Sequence, residues 1–145
     1  NVKNKSLRFT ADVEVPANAN GVILCQGGDF GGWSFYMLNG KACYTYNWVG
    51  LESYTVSSDK VLSPGKHKIR FEFAYEGGRG GGGKGTLFYD DAKVGEGQIK
   101  HTNSNTFGID ESADVGTDEN TPVTAAYKKN PKFNGKIIKV EVNLL

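Results

Sequence analysis

The side chains that could act as acids, bases or nucleophiles are few in this sequence, and their spacing forms no catalytic pattern. Glycosidases need two carboxylates, which in sandwich-fold enzymes often occupy alternate positions of one strand. Glu72 lies between two phenylalanines and Glu76 comes four residues later, so we interpret Glu72 as solvent-facing. His67 falls on the apolar phase of its strand, as a hydrogen-bonded core or rim histidine would, and His101 is predicted to lie in a polar loop. With no Gly-x-Ser-x-Gly elbow beside either histidine, we expect no catalysis by this chain.

A glycine-rich run before Lys84 resembles the start of a phosphate-binding loop. Such a loop needs Ser or Thr directly after the lysine and a helix whose N-terminus faces the phosphates. Gly85 follows Lys84, and the next segment has the pattern of a strand. The run from Gly77 to Gly85 is therefore predicted to be a mobile connection between two strands.

Five carboxylates cluster within ten residues in the last third of the chain: Asp110, Glu111, Asp114, Asp118 and Glu119. Ca²⁺ takes roughly six to eight oxygen ligands, often from loops of this composition. The alternate-aspartate spacing of the helix-loop-helix calcium site is absent, so a solvated loop is the default interpretation. The candidate metal ligands are Asp110, Asp114 and Asp118.

Aromatic residues at alternate positions form the other candidate site. Trp33, Tyr44, Tyr46 and Trp48 could stack on sugar rings if exposed, or fill the space between two sheets if buried. Their strict alternation with polar neighbours favours the core. They remain the candidate ligand-binding residues.

The composition is that of a single domain without a strong electric field. The 145 residues carry 17 basic and 16 acidic side chains, a net charge of +1 that favours neither nucleic acid nor an anionic membrane. No apolar run approaches the ~20 residues of a membrane span. The first residues enter a strand without the pattern of a signal peptide, so residues 1–145 are expected to be a domain excised from a longer protein.

The elements that must position these residues are predicted to be strands. Period-two alternation predicts a strand from Leu7 to Val15, and an apolar run predicts one from Val22 to Gln26 that is buried on both faces. Asn39-Gly40 favours a two-residue type I′ turn, which predicts a hairpin over residues 33–48 with Phe35 opposite Tyr44.

The second half continues the same pattern. Strands are predicted over 54–57 and 67–75, followed by a hairpin over 86–99 that turns at Asp90-Asp91. The segment 107–123 has the composition of a loop, and a last strand alternates Ile138, Val140, Val142 and Leu144. Eight or more short strands without a helical stripe favour an all-β sandwich or jelly roll.

Several segments, in order along nearly the whole chain, resemble the C-terminal domain of bacterial arylsulfatases. They are Gly21–Gly28, Phe30–Tyr36, Tyr46–Glu52, Pro64–His67, Ile69–Tyr75 with the glycine run after it, Gly95–Gly97, Asp114–Asp118 and Thr121–Val123.

This resemblance implies a concanavalin A-like or laminin G-like jelly roll. It also implies a periplasmic or secreted parent enzyme that hydrolyses sulfate esters with a formylglycine and a Ca²⁺ ion. The family's catalytic signature, Cys or Ser followed by x-Pro-x-Arg, matches neither Cys25 nor Cys43, so no catalytic residue is carried over. The family's second hairpin usually turns on a glycine where this chain has Asp91-Ala92, which leaves that turn type open.

Three functions follow, in order of preference. The first is a non-catalytic accessory domain that packs on a sulfatase catalytic domain in cis or aids substrate engagement. An exposed apolar patch of roughly several hundred Å² would favour this function, as a lost interdomain surface. The alternative is a carbohydrate-binding module, which an exposed aromatic pair in a concave groove would favour. A self-standing glycan hydrolase is the least favoured, since it requires two carboxylates facing each other across a cleft.

Two further expectations concern the chain's connectivity. We expect the first and last strands to be neighbours in one sheet, because both alternate cleanly and jelly rolls of this kind bring their ends together. If Val22–Gln26 pairs with the outer edge of the first hairpin, Cys25 and Cys43 lie on strands separated by one strand. That separation of about 9–10 Å exceeds the reach of a disulfide.

Overall fold

The computed structural model describes residues 6–28, 31–77, 81–102, 114–117, 123–127 and 131–145. In these residues the chain forms β-strands and one short 3₁₀ turn, Ala125–Tyr127. The strands are β1 (Leu7–Val15), β2 (Gly21–Gly28), β3 (Gly31–Leu38), β4 (Lys41–Trp48), β5 (Glu52–Ser57), β6 (Gly65–Tyr75), β7 (Gly81–Tyr89), β8 (Ala92–His101), β9 (Asp114–Val115) and β10 (Lys136–Leu144).

The described strands make two antiparallel sheets that face each other. Sheet A has the order β10-β1-β6-β7-β8, and sheet B has the order β5-β4-β3-β2-β9. Antiparallel strands joined by hairpins can bury one face and leave the other to solvent, which is the pattern that β1 shows residue by residue. The all-β sandwich predicted from the sequence is confirmed.

Both hairpins turn where the sequence indicated. In the β3–β4 turn Asn39 and Gly40 have φ of 50° and 82°, and Phe35 lies opposite Tyr44 as predicted. In the β7–β8 turn Asp90 and Asp91 have φ of 48° and 73°. Positive φ at both central residues is what a type I′ turn requires, so the second hairpin makes this turn without glycine.

The core is a layer of rings between the sheets. Phe9 on β1 is fully buried, and its ring centroid lies 4.8 Å from that of Trp33 on β3. Tyr44 on β4 stacks on Phe71 of β6 with centroids 4.0 Å apart and planes 11° from parallel. Each such ring, fully buried, stabilises the fold by about 1.5–3 kcal/mol.

The two ends of the chain meet in sheet A, as predicted. β1 pairs with β10 on one side and with β6 on the other. The predicted alternation along β10 is wrong at Ile138. Asp12 pairs with Lys139 and Val13 pairs with Ile137, so Ile138 is the extra residue of a β-bulge and points outward. Ile138 is 51% exposed, and Ile137 packs against the core instead.

The glycine run requires a correction. Residues 78–80 lie outside the described part of the chain, but Gly81–Gly85 is the first half of β7, paired with β6 and β8. A Cβ on Gly83 would lie 2.2 Å from the Ala74 carbonyl oxygen, and one on Gly85 would lie 2.8 Å from the Phe71 ring. These glycines are needed because strands and rings pack closely against them. The predicted mobile connection was based on composition alone, which does not show these contacts.

The strand order also separates the two cysteines as predicted. β2 pairs with β3, so Cys25 lies beside Ser34 and Cys43 lies beside Tyr36, with β3 between them. Neither forms a disulfide, and both are buried on the outer side of sheet B. Burial raises the pKa of the Cys43 thiol, which keeps it in the neutral form that suits a small apolar environment.

Replacing Gly83 by alanine tests the revised view of the glycine run. The added methyl group meets backbone and the Phe73 ring, so the free energy of unfolding should fall by about 1–3 kcal/mol in urea titrations. Thr86→Ala on the outer face of the same strand is the matched control and should change it by roughly 0.5 kcal/mol or less. Equal stability of Gly83→Ala and wild type would restore the original view of a loose connection.

Candidate functional site

Three of the four aromatic residues proposed from the sequence lie inside the sandwich. Trp33, Tyr44 and Tyr46 are 2%, 4% and 5% exposed and belong to the core, as their alternation favoured. Trp48 is half-buried at the end of β4, next to the exposed residues of the β4–β5 turn. Of the four, Trp48 therefore lies where a ligand can reach it, and its ligand-binding role stays a prediction.

Trp48 belongs to a small aromatic cluster at this end of the sandwich. The loop position predicted for His101 is wrong, because it is the last residue of β8 and pairs with Gly81. Its ring stacks on Trp48 with centroids 4.5 Å apart and planes 23° from parallel. Tyr54 on β5 lies beside them, its ring centroid 6.3 Å from that of His101. We call Trp48, Tyr54 and His101 the rim cluster.

The sheets bring these three residues together because their edges meet. β5 is an edge strand of sheet B, β8 is an edge strand of sheet A, and the two pack on each other. Side chains two residues apart on a strand point to the same face. Tyr54 is two residues from the buried Val56, and His101 is two residues from the buried Ile99. Both side chains therefore point to the core side of their strands, at its edge. This alternation was the available signal for Tyr54 and His101, which the sequence analysis did not propose.

A carboxylate extends the cluster outward. The Tyr54 hydroxyl donates a hydrogen bond to the exposed Glu52 carboxylate. Desolvation and this hydrogen bond raise the pKa of Tyr54 to about 12, so the phenol keeps its proton at neutral pH. The cluster therefore offers a negative acceptor in Glu52 next to ring faces.

The β4–β5 turn holds Trp48 in place and exposes apolar groups next to it. The Asn47 side chain accepts a hydrogen bond from the Gly50 N–H at 3.0 Å and donates one to the Val123 carbonyl at 3.2 Å. Val49 has φ of 45°, a left-handed conformation unusual for a β-branched residue, and Leu51 is 73% exposed. Val49 and Leu51 widen the apolar surface around the rim cluster.

A Ser-His-Asp arrangement elsewhere resembles a triad, but its histidine lies closer to backbone than to the serine hydroxyl. His67 Nδ1 lies 2.6 Å from Asp90 Oδ2, and Nε2 lies 3.2 Å from the Ser63 hydroxyl. Nε2 also lies 2.8 Å from the Ser63 carbonyl oxygen, which can only accept. This geometry is that of a structural tie to the Ser63 backbone. The predicted hydrogen-bonded rim histidine is confirmed; it ties the segment before β6 to the β7–β8 turn.

The carboxylate considered for glycoside hydrolysis is held by arginines. Glu72 lies 2.9 Å from Arg8 and 3.0 Å from Arg70 on the outer face of sheet A. Arg70 also lies 2.7 Å from Asp91, and its guanidinium is 4.1 Å from the centre of the Phe88 ring. Glu72 belongs to an ion-pair network on the surface, which agrees with the prediction that it faces solvent.

The candidate metal ligands lie mostly outside the described residues. Asp110 and Asp118 are not described, and Asp114 is described only as a backbone position of β9 paired with Cys25. In the part of the chain that is described, no group of three or more His, Cys, Asp or Glu side chains could hold a metal ion. Over the same residues, no helix has the length and hydropathy of a membrane-spanning segment.

Comparison with known proteins identifies the type of fold. No family model and no curated protein sequence matches the chain. Domains LG4-5 of the mouse laminin α1 chain superpose with a TM-score of 0.69 at 15% identity, over 100% of this chain and 38% of that chain. Sheep galectin-11 in complex with glycerol matches with a TM-score of 0.47 at 11% identity, over 95% of this chain and 90% of that one. The binding domain of botulinum neurotoxin serotype C1 matches with a TM-score of 0.47 at 10% identity, over 70% of this chain and 24% of that one.

The chain is thus a β-sandwich of the laminin G type, and the jelly-roll prediction is confirmed. It spans little more than a third of the laminin chain that it resembles, at 38% of that length. At 15% identity the likeness concerns the fold.

The pH dependence of stability tests the His67 arrangement. Partial burial of the Asp90 carboxyl raises its pKa, but hydrogen bonds from the Lys68 N–H and from His67 outweigh this and lower it. A lowered folded-state pKa stabilises the fold above the unfolded value of about 3.9 and ceases to do so as the pH falls through the folded value.

We therefore expect Asp90→Asn to be less stable than wild type near pH 5, with the difference shrinking as the pH falls below about 4. Urea unfolding of both proteins from pH 7 to pH 2.5 measures it. A difference in unfolding free energy that stays the same down to pH 2.5 would contradict a lowered Asp90 pKa.

Proposed function

We propose that this chain is a non-catalytic ligand-binding module that binds glycans through the rim cluster. The observation that carries the proposal is the Trp48–His101 stack next to the exposed β4–β5 turn, with Tyr54 and the exposed Glu52 carboxylate beside it. Trp48 and Tyr54 are half-buried and His101 is exposed, so the cluster meets in part the condition of an exposed aromatic pair that favours a carbohydrate-binding module.

The chemistry of the cluster suits a sugar ring. The C–H groups on one face of a pyranose pack on an aromatic face, while its hydroxyls need donors and acceptors at the edge. The Glu52 carboxylate accepts from hydroxyls, and the exposed His101 ring adds polar nitrogens to an otherwise apolar surface formed with Leu51.

Affinity at a single rim should be modest. An aromatic contact of this kind contributes about 0.5–1.5 kcal/mol beyond its buried area, and the cluster offers few such contacts. Dissociation constants between tens of micromolar and millimolar correspond to roughly 4–6 kcal/mol, a range in which a polymer with many equivalent units is captured better than a short fragment.

The described carboxylates and histidines support a module without turnover. Glu72 lies between two arginines, and His67 Nε2 lies closer to the Ser63 carbonyl oxygen than to its hydroxyl. Neither group faces a partner with which it could perform general acid–base chemistry. In the rim cluster the pKa of Tyr54 is raised to about 12, which is the opposite of what an activated nucleophile requires.

Attachment to a sulfatase catalytic domain stays a prediction. Its support is the sequence resemblance to the C-terminal domain of bacterial arylsulfatases, and none of the three structures named above is a sulfatase. Three further expectations also stay predictions. They are a periplasmic or secreted location, Ca²⁺ and formylglycine in the parent enzyme, and a calcium ion in the acidic segment.

Substitution of Trp48 tests glycan binding at the rim. Affinity gel electrophoresis with a panel of β-glucan, xylan, mannan and sulfated galactan should show retardation of the wild type by at least one polymer. Trp48→Ala should weaken that binding about tenfold or more, since a lost aromatic contact of about 1.4 kcal/mol has that effect. His101→Ala removes an exposed ring and should also weaken binding to that polymer.

Phe88→Ala is the matched control. Phe88 is a partly exposed aromatic residue on the outer face of sheet A, stacked under Arg70 and remote from the rim. It should bind the polymer as wild type does. Absence of retardation by every polymer, or equal binding by Trp48→Ala, His101→Ala and wild type, would refute the proposal.

A further inference from the structure

The two edges of sheet A differ in how far they are covered. On the β8 side the sheets close on each other: the Asp59 N–H, in the segment after β5, donates to the Val94 carbonyl at 2.6 Å. Gly95 approaches so closely that a Cβ there would lie 2.4 Å from the Ser57 carbonyl oxygen. The β8 edge is therefore occupied by the neighbouring sheet.

The β10 edge is open in the described part of the chain. β10 has nine residues and pairs there with β1 alone, so one row of its backbone N–H and C=O groups faces outward. The opposing edge of sheet B is β9, with only two residues. A long edge strand of this kind is a template for pairing with another chain.

Exposed apolar side chains gather at the same edge. Among the described residues, four of the seven large hydrophobic side chains that are exposed lie on β9, on β10 or directly after it. They are Val115 at 56%, Ile138 at 51%, Leu144 at 49% and Leu145 at 60% exposure. Their exposure gives pairing at this edge an apolar contribution in addition to backbone hydrogen bonds.

When two copies of β10 pair antiparallel, the register decides whether their charges attract or repel each other. In an antiparallel pair about a two-fold axis normal to the sheet, residues directly opposite each other share a face. Centring the pair on Lys139 or on Glu141 places like charges opposite each other, and centring it on Val142 places Glu141 opposite Asn143. Centring it on Val140, the middle of the strand, places Lys139 opposite Glu141 twice.

We propose that β10 pairs antiparallel with β10 of a second copy of this chain, centred on Val140. The two five-stranded A sheets then form one continuous sheet across the dimer. Lys139 and Glu141, which form an ion pair within one chain at 2.5 Å, join a cluster of four alternating charges. The bulge at Ile138 limits how far the ladder extends toward Lys136, so its centre lies at residues 139–141.

Charge exchange on β10 tests the register. Sedimentation equilibrium of the 145-residue chain between 1 and 200 µM, a working range set around the affinities of weak homodimers, should show a dimer for wild type. Lys139→Glu and Glu141→Lys each place like charges opposite each other and should weaken dimerisation at least tenfold. The double variant Lys139→Glu/Glu141→Lys restores opposite charges and should recover the dimer.

Lys100→Glu is the matched control, because it makes the same charge change on β8, the covered edge of sheet A. It should remain dimeric, and all variants should keep the wild-type circular dichroism spectrum. A monomeric wild type over the whole concentration range overturns the proposal. A dimer that both single variants leave intact, or that the double variant fails to recover, overturns the register. None of these outcomes depends on whether the rim cluster binds a glycan.

Discussion

The packing of aromatic rings between the two sheets is the interaction on which the rest of the structure depends. Phe9 lies at its centre, with the rings of Trp33, Phe35 and Phe71 at centroid distances of 4.8, 6.1 and 6.2 Å. Because apolar burial is the dominant favourable term in folding, this layer fixes which face of every strand points inward. A slip of one residue in any register would turn these rings outward.

The position of the rim cluster follows from how the ring layer closes at one side. Gly95 and Gly97 on β8 leave room for β5, and side chains there would meet Ser57 or Val56. The approach of β5 to β8 brings Tyr54 within contact of His101 and leaves Trp48 next to the exposed β4–β5 turn. The candidate site is therefore built from the last residues of the core on the side where β5 packs on β8.

Local patterns were enough to predict much of the fold. The alternation in β1 and the Asn39-Gly40 turn predicted both elements and the pairing of Phe35 with Tyr44, because period and turn chemistry are set by neighbours in sequence. The first half of β7, Gly81–Gly85, was missed, since its glycines are required by contacts with β6 and β8 that local composition does not show.

The candidate site was predicted only in part for the same reason. Trp48 was proposed as an aromatic residue, but its neighbours Tyr54 and His101 come from β5 and from β8 in the other sheet. The contacts of His67 with Ser63 and Asp90 likewise join two segments that follow different strands. The alternation of each strand can indicate that Tyr54 and His101 face the core, but it cannot show which side chains meet once both sheets have packed.

The two tryptophans allow the most direct test of binding at the rim, because one is in the core and the other is at the site. The ¹H–¹⁵N spectrum shows one indole signal for Trp33 and one for Trp48, which a Trp48→Phe variant assigns. During titration with hexasaccharides of β-glucan, xylan, mannan and sulfated galactan, we expect the Trp48 signal to shift with at least one sugar while that of Trp33 stays in place. Shifts confined to residues away from the rim, or no shift of Trp48 with any sugar, would contradict the account.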